Sequence, residues 1–357
     1  MCCAGWLNRT IGDLKTNSVE EVWNSTASQE IRKSIHDGSF RYCSYIRCPF
    51  LKSVSGPVQK LADVDDPELA DAIARKLTVL PYGPRELSLS YDRSCNLSCP
   101  SCRNDLIVES ASNSEIHSVQ ETVRNQAFSA AQHISISGSG DPFASPSFRK
   151  LLQTMKVEEL PNLKNLHLHT NALLWTPEMW ETISPGIRAR IGSTLISLDA
   201  ATAATYVINR RGGNWERLME NLAFISSLRR QGALHWMCIA MVVQENNFRE
   251  LPALVRLGRQ LQVDRVLFTE LGNWGTYTDE DFISRWVHHP QHPQHAEFVR
   301  VLRDPDCNDP IVEKQFTAAH PLFAPRFAAG HMMLPPRFIE SQLIKRIAPA
   351  SASHPAP

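Results

Sequence analysis

The sequence lacks a net charge and lacks any long apolar run, and each absence argues against a broad class of function. Its 357 residues carry 37 Lys and Arg against 37 Asp and Glu. A balanced chain gives no support to a general nucleic-acid binder or to a protein held on an anionic membrane. No stretch approaches the roughly 20 apolar residues of a membrane helix, and no basic segment followed by an apolar one marks a secretory signal. We therefore expect a cytoplasmic globular protein with no membrane or nucleic-acid partner.

Cysteine is too sparse and too unevenly distributed for a disulfide scaffold. Nine cysteines occur in the chain, and without an export signal clustered thiols more often hold metal than form disulfides. Cys238 and Cys307 stand alone; we predict that neither is a ligand and that Cys238 is a buried small hydrophobe. The other seven fall into three groups: Cys2 with Cys3, Cys43 with Cys48, and Cys95 with Cys99 and Cys102.

From residue 87 onward, short apolar runs alternate with helix-like stretches. The clearest helix runs from Trp215 to about Arg229, with Asn214 as its N-cap. Repeated βα units predict a parallel sheet, which right-handed crossovers can curl into a full or partial barrel with its ligands at the carboxyl ends of the strands. The predicted strands are Leu87–Tyr91, His133–Ser137, Leu166–His169, Thr194–Leu198, Trp236–Val243 and Val266–Leu271.

The strongest motif directly follows the first predicted strand. Cys95, Cys99 and Cys102 lie within eight residues, so their thiolates can hold one cubane [4Fe–4S] cluster. Three protein ligands leave one of its four irons open to a substrate or cofactor. A structural zinc site completed by a distant ligand is the alternative.

This spacing, Cys-x₃-Cys-x₂-Cys, resembles the radical SAM superfamily, and the resemblance extends over about residues 87–275. It implies that the open iron chelates S-adenosylmethionine (SAM). It further implies that an electron from the cluster cleaves SAM to a 5′-deoxyadenosyl radical, which abstracts hydrogen from a substrate.

A glycine-containing loop follows the second predicted strand and lets the backbone approach a ligand closely, although an ordinary turn would look the same. The resemblance implies that this loop binds the SAM ammonium group, with a serine and an aspartate at positions where the family has glycine and glutamate. The residues concerned are Gly138, Ser139, Gly140, Asp141 and Pro142.

Polar residues also follow the next strands. Asn171 follows the third, and Ser197 and Asp199, which alternation places on one side, end the fourth. Hydrogen-bonded strand ends are the alternative, and the resemblance implies contacts to the SAM ribose or to substrate. It also implies that Arg210 or Arg211 pairs with the SAM carboxylate, where a surface arginine is the alternative.

The N-terminal cysteines, with Trp6, Ile11–Leu14 and Val22–Asn24, resemble a SPASM domain, a module that binds auxiliary iron–sulfur clusters. The resemblance implies an auxiliary [4Fe–4S] cluster on Cys3, Cys43 and Cys48; a zinc clip, or a unit without metal, is the alternative. The chain begins inside this motif, so we expect an upstream cysteine to be missing.

The C-terminal region offers weaker candidates. Glu270 and Trp274 follow the sixth predicted strand and are candidate substrate-side residues. The histidines near residue 290 are separated by prolines, so no helix presents them on one face, and a solvated loop is predicted for them. They are His288, His289, His292 and His295.

Together these features predict an α/β protein with a partial (β/α)₆ TIM-like barrel and a small N-terminal iron–sulfur unit. We expect a radical SAM enzyme of oxidoreductase type that modifies a small molecule or a peptide and takes its electron from a donor such as flavodoxin or ferredoxin. A non-catalytic iron–sulfur or zinc protein that carries electrons or binds partners is the alternative. The predicted segments are a SPASM-like unit at 1–50, a helical linker at 51–86, the radical SAM core at 87–275, a C-terminal segment covering the barrel at 276–340 and a disordered tail at 341–357.

Overall fold

The computed structural model describes residue 7, residues 9–43 and residues 60–316. It divides into two compact units. Of the described residues, one takes in the chain as far as Pro84 together with Glu121–Ala127, and the other takes in Arg85–Gln120 and the chain from Phe128 to Phe316. Predictions that concern residues 44–59 and the tail at 341–357 lie outside the described residues.

The first unit is organised by short, well-capped helices. Ser18 and Glu21 form a reciprocal capping box at the start of α1 (Val19–Trp23). Arg32, on α2 (Thr26–His36), places its guanidinium 4.6 Å from the centre of the Trp23 ring and donates to the Trp23 carbonyl at 2.7 Å. This cation–π contact and hydrogen bond fasten α2 onto the end of α1.

The linker is helical only in part. In its described portion, a 3₁₀ turn covers Leu61–Asp63 and α3 covers Pro67–Ala74, which begins at a capping aspartate and has proline in its first turn. The other described residues between residue 60 and the first strand are not helical.

The second unit is built on a parallel sheet of seven strands, joined side by side in chain order. The predicted α/β fold with a parallel sheet is thus confirmed. The strands are β1 (Glu86–Leu89), β2 (His133–Ile136), β3 (Asn165–Thr170), β4 (Ile191–Ser197), β5 (Trp236–Val243), β6 (Arg265–Glu270) and β7 (Val312–Gln315).

Helices connect successive strands, as the repeated βα pattern predicts. The longest, α9 (Trp215–Arg230), begins after Asn214, whose side chain accepts the Arg217 N–H as predicted for an N-cap. The helices of this part of the chain are α4 (Ser114–Ala127), α5 (Pro146–Thr154), α6 (Pro177–Glu181), α7 (Pro185–Arg188), α8 (Ala203–Asn209), α9 (Trp215–Arg230), α10 (Leu251–Gln260), α11 (Asp279–Arg285) and α12 (His295–Leu302).

Strand β7 is an addition to the six predicted strands. Its sequence, Val-Glu-Lys-Gln, has no apolar run, so it carries no pattern typical of a buried strand. It pairs in parallel with β6 along Val266–Thr269, and Glu313 on it accepts a hydrogen bond from Arg265 at 2.9 Å. A tertiary ion pair and strand pairing therefore stabilise a strand that its own composition does not indicate.

The inner face of the sheet holds a small apolar layer. Leu195, Cys238 and Ala240 form it, and Trp236 and Leu267 pack against it. The prediction that Cys238 is a buried small hydrophobe is confirmed. None of the helices in the described parts of the chain is long and apolar enough to span a membrane.

Candidate functional site at the carboxyl ends of the strands

The three-cysteine loop leaves β1 and folds back on itself. The Cys95 N–H donates to the Ile107 carbonyl at 2.9 Å, and the Cys102 N–H donates to the Cys99 carbonyl at 2.9 Å. Cys95 is 8% exposed and Cys99 5% exposed, whereas Cys102 is exposed. The loop thus lies at the edge of the sheet where parallel strands present their carboxyl ends, with two thiols turned inward.

Each of the three sulfur atoms accepts one side-chain N–H. Asn171 Nδ2 lies 3.6 Å from Cys95 Sγ, an Arg210 nitrogen lies 3.6 Å from Cys99 Sγ, and an Arg103 nitrogen lies 3.7 Å from Cys102 Sγ. The three donors come from the end of β3, the turn after α8 and the cysteine loop itself. Such N–H···S contacts stabilise negative charge on sulfur, which is the state of a metal-bound thiolate.

Arg103 links the cysteine loop to the glycine-containing loop after β2. Its guanidinium is buried, and it donates to the Arg93 carbonyl at 2.7 Å and to the Ser139 carbonyl at 2.6 Å. Among the described residues it has no acidic partner within ion-pair distance. Its positive charge is therefore unneutralised where it meets the Cys102 sulfur.

The loop after β2 packs tightly against the cysteine loop. The Asp141 N–H donates to the Ser94 carbonyl at 2.8 Å. A side chain at Gly140 would place its Cβ 2.4 Å from the same carbonyl oxygen, so only glycine fits there. Gly138 and Ser137 both have positive φ, which makes this a sharply bent backbone.

The Asp141 carboxylate accepts four hydrogen bonds from other groups of the protein. Its Oδ2 accepts the Thr170 hydroxyl at 2.7 Å and the Asn171 N–H at 2.8 Å. Its Oδ1 accepts the N–H groups of Phe143 and Ala144. This side chain therefore holds the end of β3 against the loop, and through Asn171 it sets the donor that reaches Cys95.

Asp199 departs from the strand geometry that its sequence position indicates. Strand β4 ends at Ser197, and Asp199 has φ +58°, so alternation no longer relates the two side chains. Its carboxylate accepts the Val242 N–H at 2.7 Å and pairs with Arg210 at 2.9 Å. Ser197 instead meets His169 on β3, with 3.0 Å between Oγ and Nε2.

Arg211 docks the turn between α8 and α9 onto the cysteine loop. Its side chain donates to Ser98 Oγ at 3.0 Å and to the Asn104 carbonyl at 2.6 Å, and its own carbonyl accepts the Ser98 N–H at 3.1 Å. The two neighbouring arginines therefore have different partners. Arg210 pairs with Asp199, and Arg211 holds the cysteine loop.

Two histidines on the inner face of β3 were not singled out by the sequence. His167 Nδ1 lies 2.8 Å from Ser193 Oγ, below the His169–Ser197 contact. Burial lowers the pKa of His167 to about 3 and that of His169 to about 4, and the positive charge of Arg210 adds to the second shift. Both imidazoles are therefore neutral near pH 7. The two histidines alternate along β3, opposite serines on β4. This alternation is the sequence signal that could have identified them.

Burial also dominates the charge states around the cysteines. It raises the pKa of the Cys95 thiol to about 11, with the nearby Asp141 carboxylate acting in the same direction. It raises the pKa of Cys99 as well, against the lowering influence of Arg210. Without a metal these thiols stay protonated, and metal coordination is what would deprotonate them.

The two candidate substrate-side residues, Glu270 and Trp274, lie in different environments in the structure. Glu270 Oε1 lies 2.6 Å from His288 Nε2 and accepts the Trp286 indole N–H at 3.2 Å. His288 is 1% exposed, so the prediction of a solvated loop is wrong for this residue, because Glu270 draws it into the protein. Trp274 is 72% exposed.

Of the predicted auxiliary ligands, only Cys43 is described, and it is half-buried with its N–H donated to the Phe40 carbonyl at 2.8 Å. Cys3 and Cys48 lie outside the described residues. Within residues 9–43 and 60–316, which include Cys95, Cys99 and Cys102, no three His, Cys, Asp or Glu side chains are grouped to hold a single metal ion.

Comparison with known proteins adds a match to the N-terminal unit. Residues 1–49 match the family model of SPASM, an iron–sulfur cluster-binding domain. The predicted SPASM-like unit is thus confirmed. No curated protein sequence matches the chain.

Several solved structures show a distant likeness. Streptococcus suis SuiB bound to the precursor peptide SuiA is 18% identical, with 71% of this chain and 55% of that chain covered and a TM-score of 0.40. The same protein bound to S-adenosylmethionine is 18% identical, with 73% and 57% covered and a TM-score of 0.41. Native anSMEcpe with bound AdoMet and the Kp18Cys peptide is 17% identical, with 57% and 58% covered and a TM-score of 0.39. The chain spans little more than half the length of these proteins, and TM-scores of this size are too low to support a functional assignment.

Proposed function

We propose that the protein is a radical SAM enzyme whose catalytic [4Fe–4S] cluster is held by Cys95, Cys99 and Cys102. One observation carries the proposal: the three sulfur atoms share one loop at the carboxyl edge of a parallel sheet, and each accepts an N–H from a different side chain. The match of residues 1–49 to an iron–sulfur cluster-binding domain supports it independently.

A cluster held by Cys95, Cys99 and Cys102 would supply the electron for reductive cleavage of SAM, the chemistry that leads to hydrogen abstraction from a substrate. The protein's part is to bind and orient. The backbone of Gly138–Pro142 approaches the cysteine loop closely enough to offer amide and carbonyl groups to a ligand on its open side.

Three of the remaining predicted SAM contacts are Asn171, Arg210 and Ser197. Asn171 lies against Cys95 and Asn96, and Arg210 lies between Asp199 and Cys99. Arg210 Nε is buried without a hydrogen-bond partner, so this guanidinium retains a donor for the SAM carboxylate. His169 and Ser197 form a neutral donor–acceptor pair suited to a ribose hydroxyl.

The N-terminal unit completes the proposal. An auxiliary [4Fe–4S] cluster there, on Cys3, Cys43 and Cys48, would accept an electron from a substrate radical or anchor the substrate, and either role favours a net oxidation. We propose a small molecule or a peptide as substrate, and flavodoxin or ferredoxin as electron donor.

The test is SAM cleavage by the anaerobically reconstituted protein. Dithionite and SAM should yield 5′-deoxyadenosine, measured by liquid chromatography and mass spectrometry. The triple variant in which Cys95, Cys99 and Cys102 are each replaced by Ala should yield none, whereas Cys307→Ala, a buried cysteine outside the loop, should retain the product. Iron that loads without product formation would favour the electron carrier, and zinc in place of iron would favour the zinc protein.

A further inference from the structure

An arginine without an acidic partner lies at the same edge of the sheet, on the C-terminal side. Helix α11 ends at Arg285, and the Arg285 carbonyl accepts the Glu245 N–H at 3.0 Å. Glu245 is the second residue after β5. This hydrogen bond fixes the end of α11 beside the carboxyl end of that strand.

The Arg285 side chain retains unused hydrogen-bonding capacity. Its Nε is buried and has no hydrogen-bond partner. In the described part of the chain no carboxylate lies within ion-pair distance of it, and Asp281, one helical turn earlier, accepts the Thr278 hydroxyl at the start of α11 instead. A buried donor on an unneutralised cation is costly unless something binds it.

Tyr277 orients this guanidinium and connects it to Gln244, at the carboxyl edge of the sheet where the cysteine loop also lies. The Arg285 Cζ lies 5.0 Å from the centre of the Tyr277 ring. The Tyr277 hydroxyl reaches Gln244 Oε1 at 3.4 Å, and Gln244, which directly follows β5, is 2% exposed. Burial raises the pKa of Tyr277, and the positive charge of Arg285 opposes that shift, in agreement with the guanidinium lying over the ring.

We propose that Arg285, oriented by Tyr277 at the carboxyl edge of the sheet, binds a carboxylate of the substrate. A guanidinium presents two parallel N–H donors that match the two oxygens of a carboxylate, and stacking on an aromatic ring fixes its plane. The proposal rests on the proposed function in one respect: the substrate has to reach SAM at the carboxyl edge of the sheet. It restricts the substrate class to molecules that carry a carboxylate, which includes acidic small molecules and peptides.

The test uses N-acetylglycine as the probe and its uncharged amide, N-acetylglycinamide, as the matched control. Protein labelled with ¹⁵N-arginine should show a slowly exchanging Nε–H signal for Arg285, assigned by its loss in Arg285→Lys. N-acetylglycine should shift this signal saturably at constant ionic strength, and the amide should not. The exposed Arg300 on α12 supplies a control, because Arg300→Lys should leave the response unchanged.

Variants measured by ligand-observed NMR extend the test. Arg285→Gln should weaken N-acetylglycine binding about tenfold or more, since a charge-assisted hydrogen bond is lost, and Tyr277→Leu should weaken it less. No saturable shift, an equal shift with the amide, or tighter binding of inorganic phosphate would each overturn the carboxylate assignment. The titration needs neither cluster nor SAM, so its failure would leave the SAM-cleavage test of the proposed function standing, and the reverse also holds.

Discussion

The guanidinium of Arg210 lies between a carboxylate and a thiol, 2.9 Å from Asp199 Oδ2 and 3.6 Å from Cys99 Sγ. Burial lowers the pKa of Arg210, but the negative charge of Asp199 outweighs this effect and keeps the group protonated. The arginine thus neutralises Asp199 and donates to the sulfur beside it.

Arg210→Met should destabilise the protein by about 3–5 kcal/mol, because it leaves the Asp199 carboxylate buried without its partner. Urea unfolding followed by circular dichroism measures this change. The double variant Asp199→Asn with Arg210→Met removes both charges and should recover part of the loss. Arg211→Met, at an exposed neighbour, is the control and should cost much less.

Equal losses for Arg210→Met and the double variant would contradict this account. They would mean that the arginine stabilises the protein through packing of its side chain rather than by neutralising Asp199.

Arg103→Gln should lower the midpoint potential of the proposed catalytic cluster. Reduction adds negative charge to the cluster, and the Arg103 cation, 3.7 Å from Cys102 Sγ, stabilises that charge. EPR-monitored potentiometry should give a more negative midpoint for Arg103→Gln than for Arg103→Lys. Arg93→Gln, at an exposed side chain in the same loop, is the control. A midpoint that is unchanged or more positive in Arg103→Gln would count against the contact.

The stability of the protein should fall as the pH drops from 6.5 towards 4, in part because of His167 and His169. Burial lowers their folded-state pKa values to about 3 and about 4. The unfolded chain therefore binds protons from pH 6.5 downward while the folded protein does not, and each histidine contributes a slope of at most about 1.4 kcal/mol per pH unit.

Urea unfolding at pH 7.5 and 5.5 checks this expectation. His167→Gln should show a smaller loss between the two pH values than the parent protein, whereas His117→Gln, at an exposed site on α4, should match the parent. If His167→Gln and the parent lose the same free energy, the buried neutral imidazole is not a source of the pH dependence.

The sequence predicted those features that local patterns determine. Strand β5 has the predicted bounds because its eight residues form one uninterrupted apolar run between polar segments. The Asn214 cap was predictable because capping depends on neighbours along the chain.

Features set by contacts distant along the chain could not be predicted in the same way. Asp199 adopts a positive φ where its carboxylate meets Arg210 and the N–H of Val242, which lies 43 residues away in the sequence. The burial of His288 depends on Glu270. For the site, the cysteine spacing predicts the ligands of the proposed cluster, but the donors that reach each sulfur come from elements that only the fold brings together.

The most direct test of the central claim is the EPR spectrum of the dithionite-reduced protein before and after SAM is added. A cluster held by three thiolates, with one iron open, should bind SAM at that iron and change its spectrum, and the triple cysteine-to-alanine variant should lose the SAM-sensitive signal. A reduced-cluster spectrum that SAM leaves unchanged, or a SAM-sensitive signal that persists in the triple variant, would contradict the assignment.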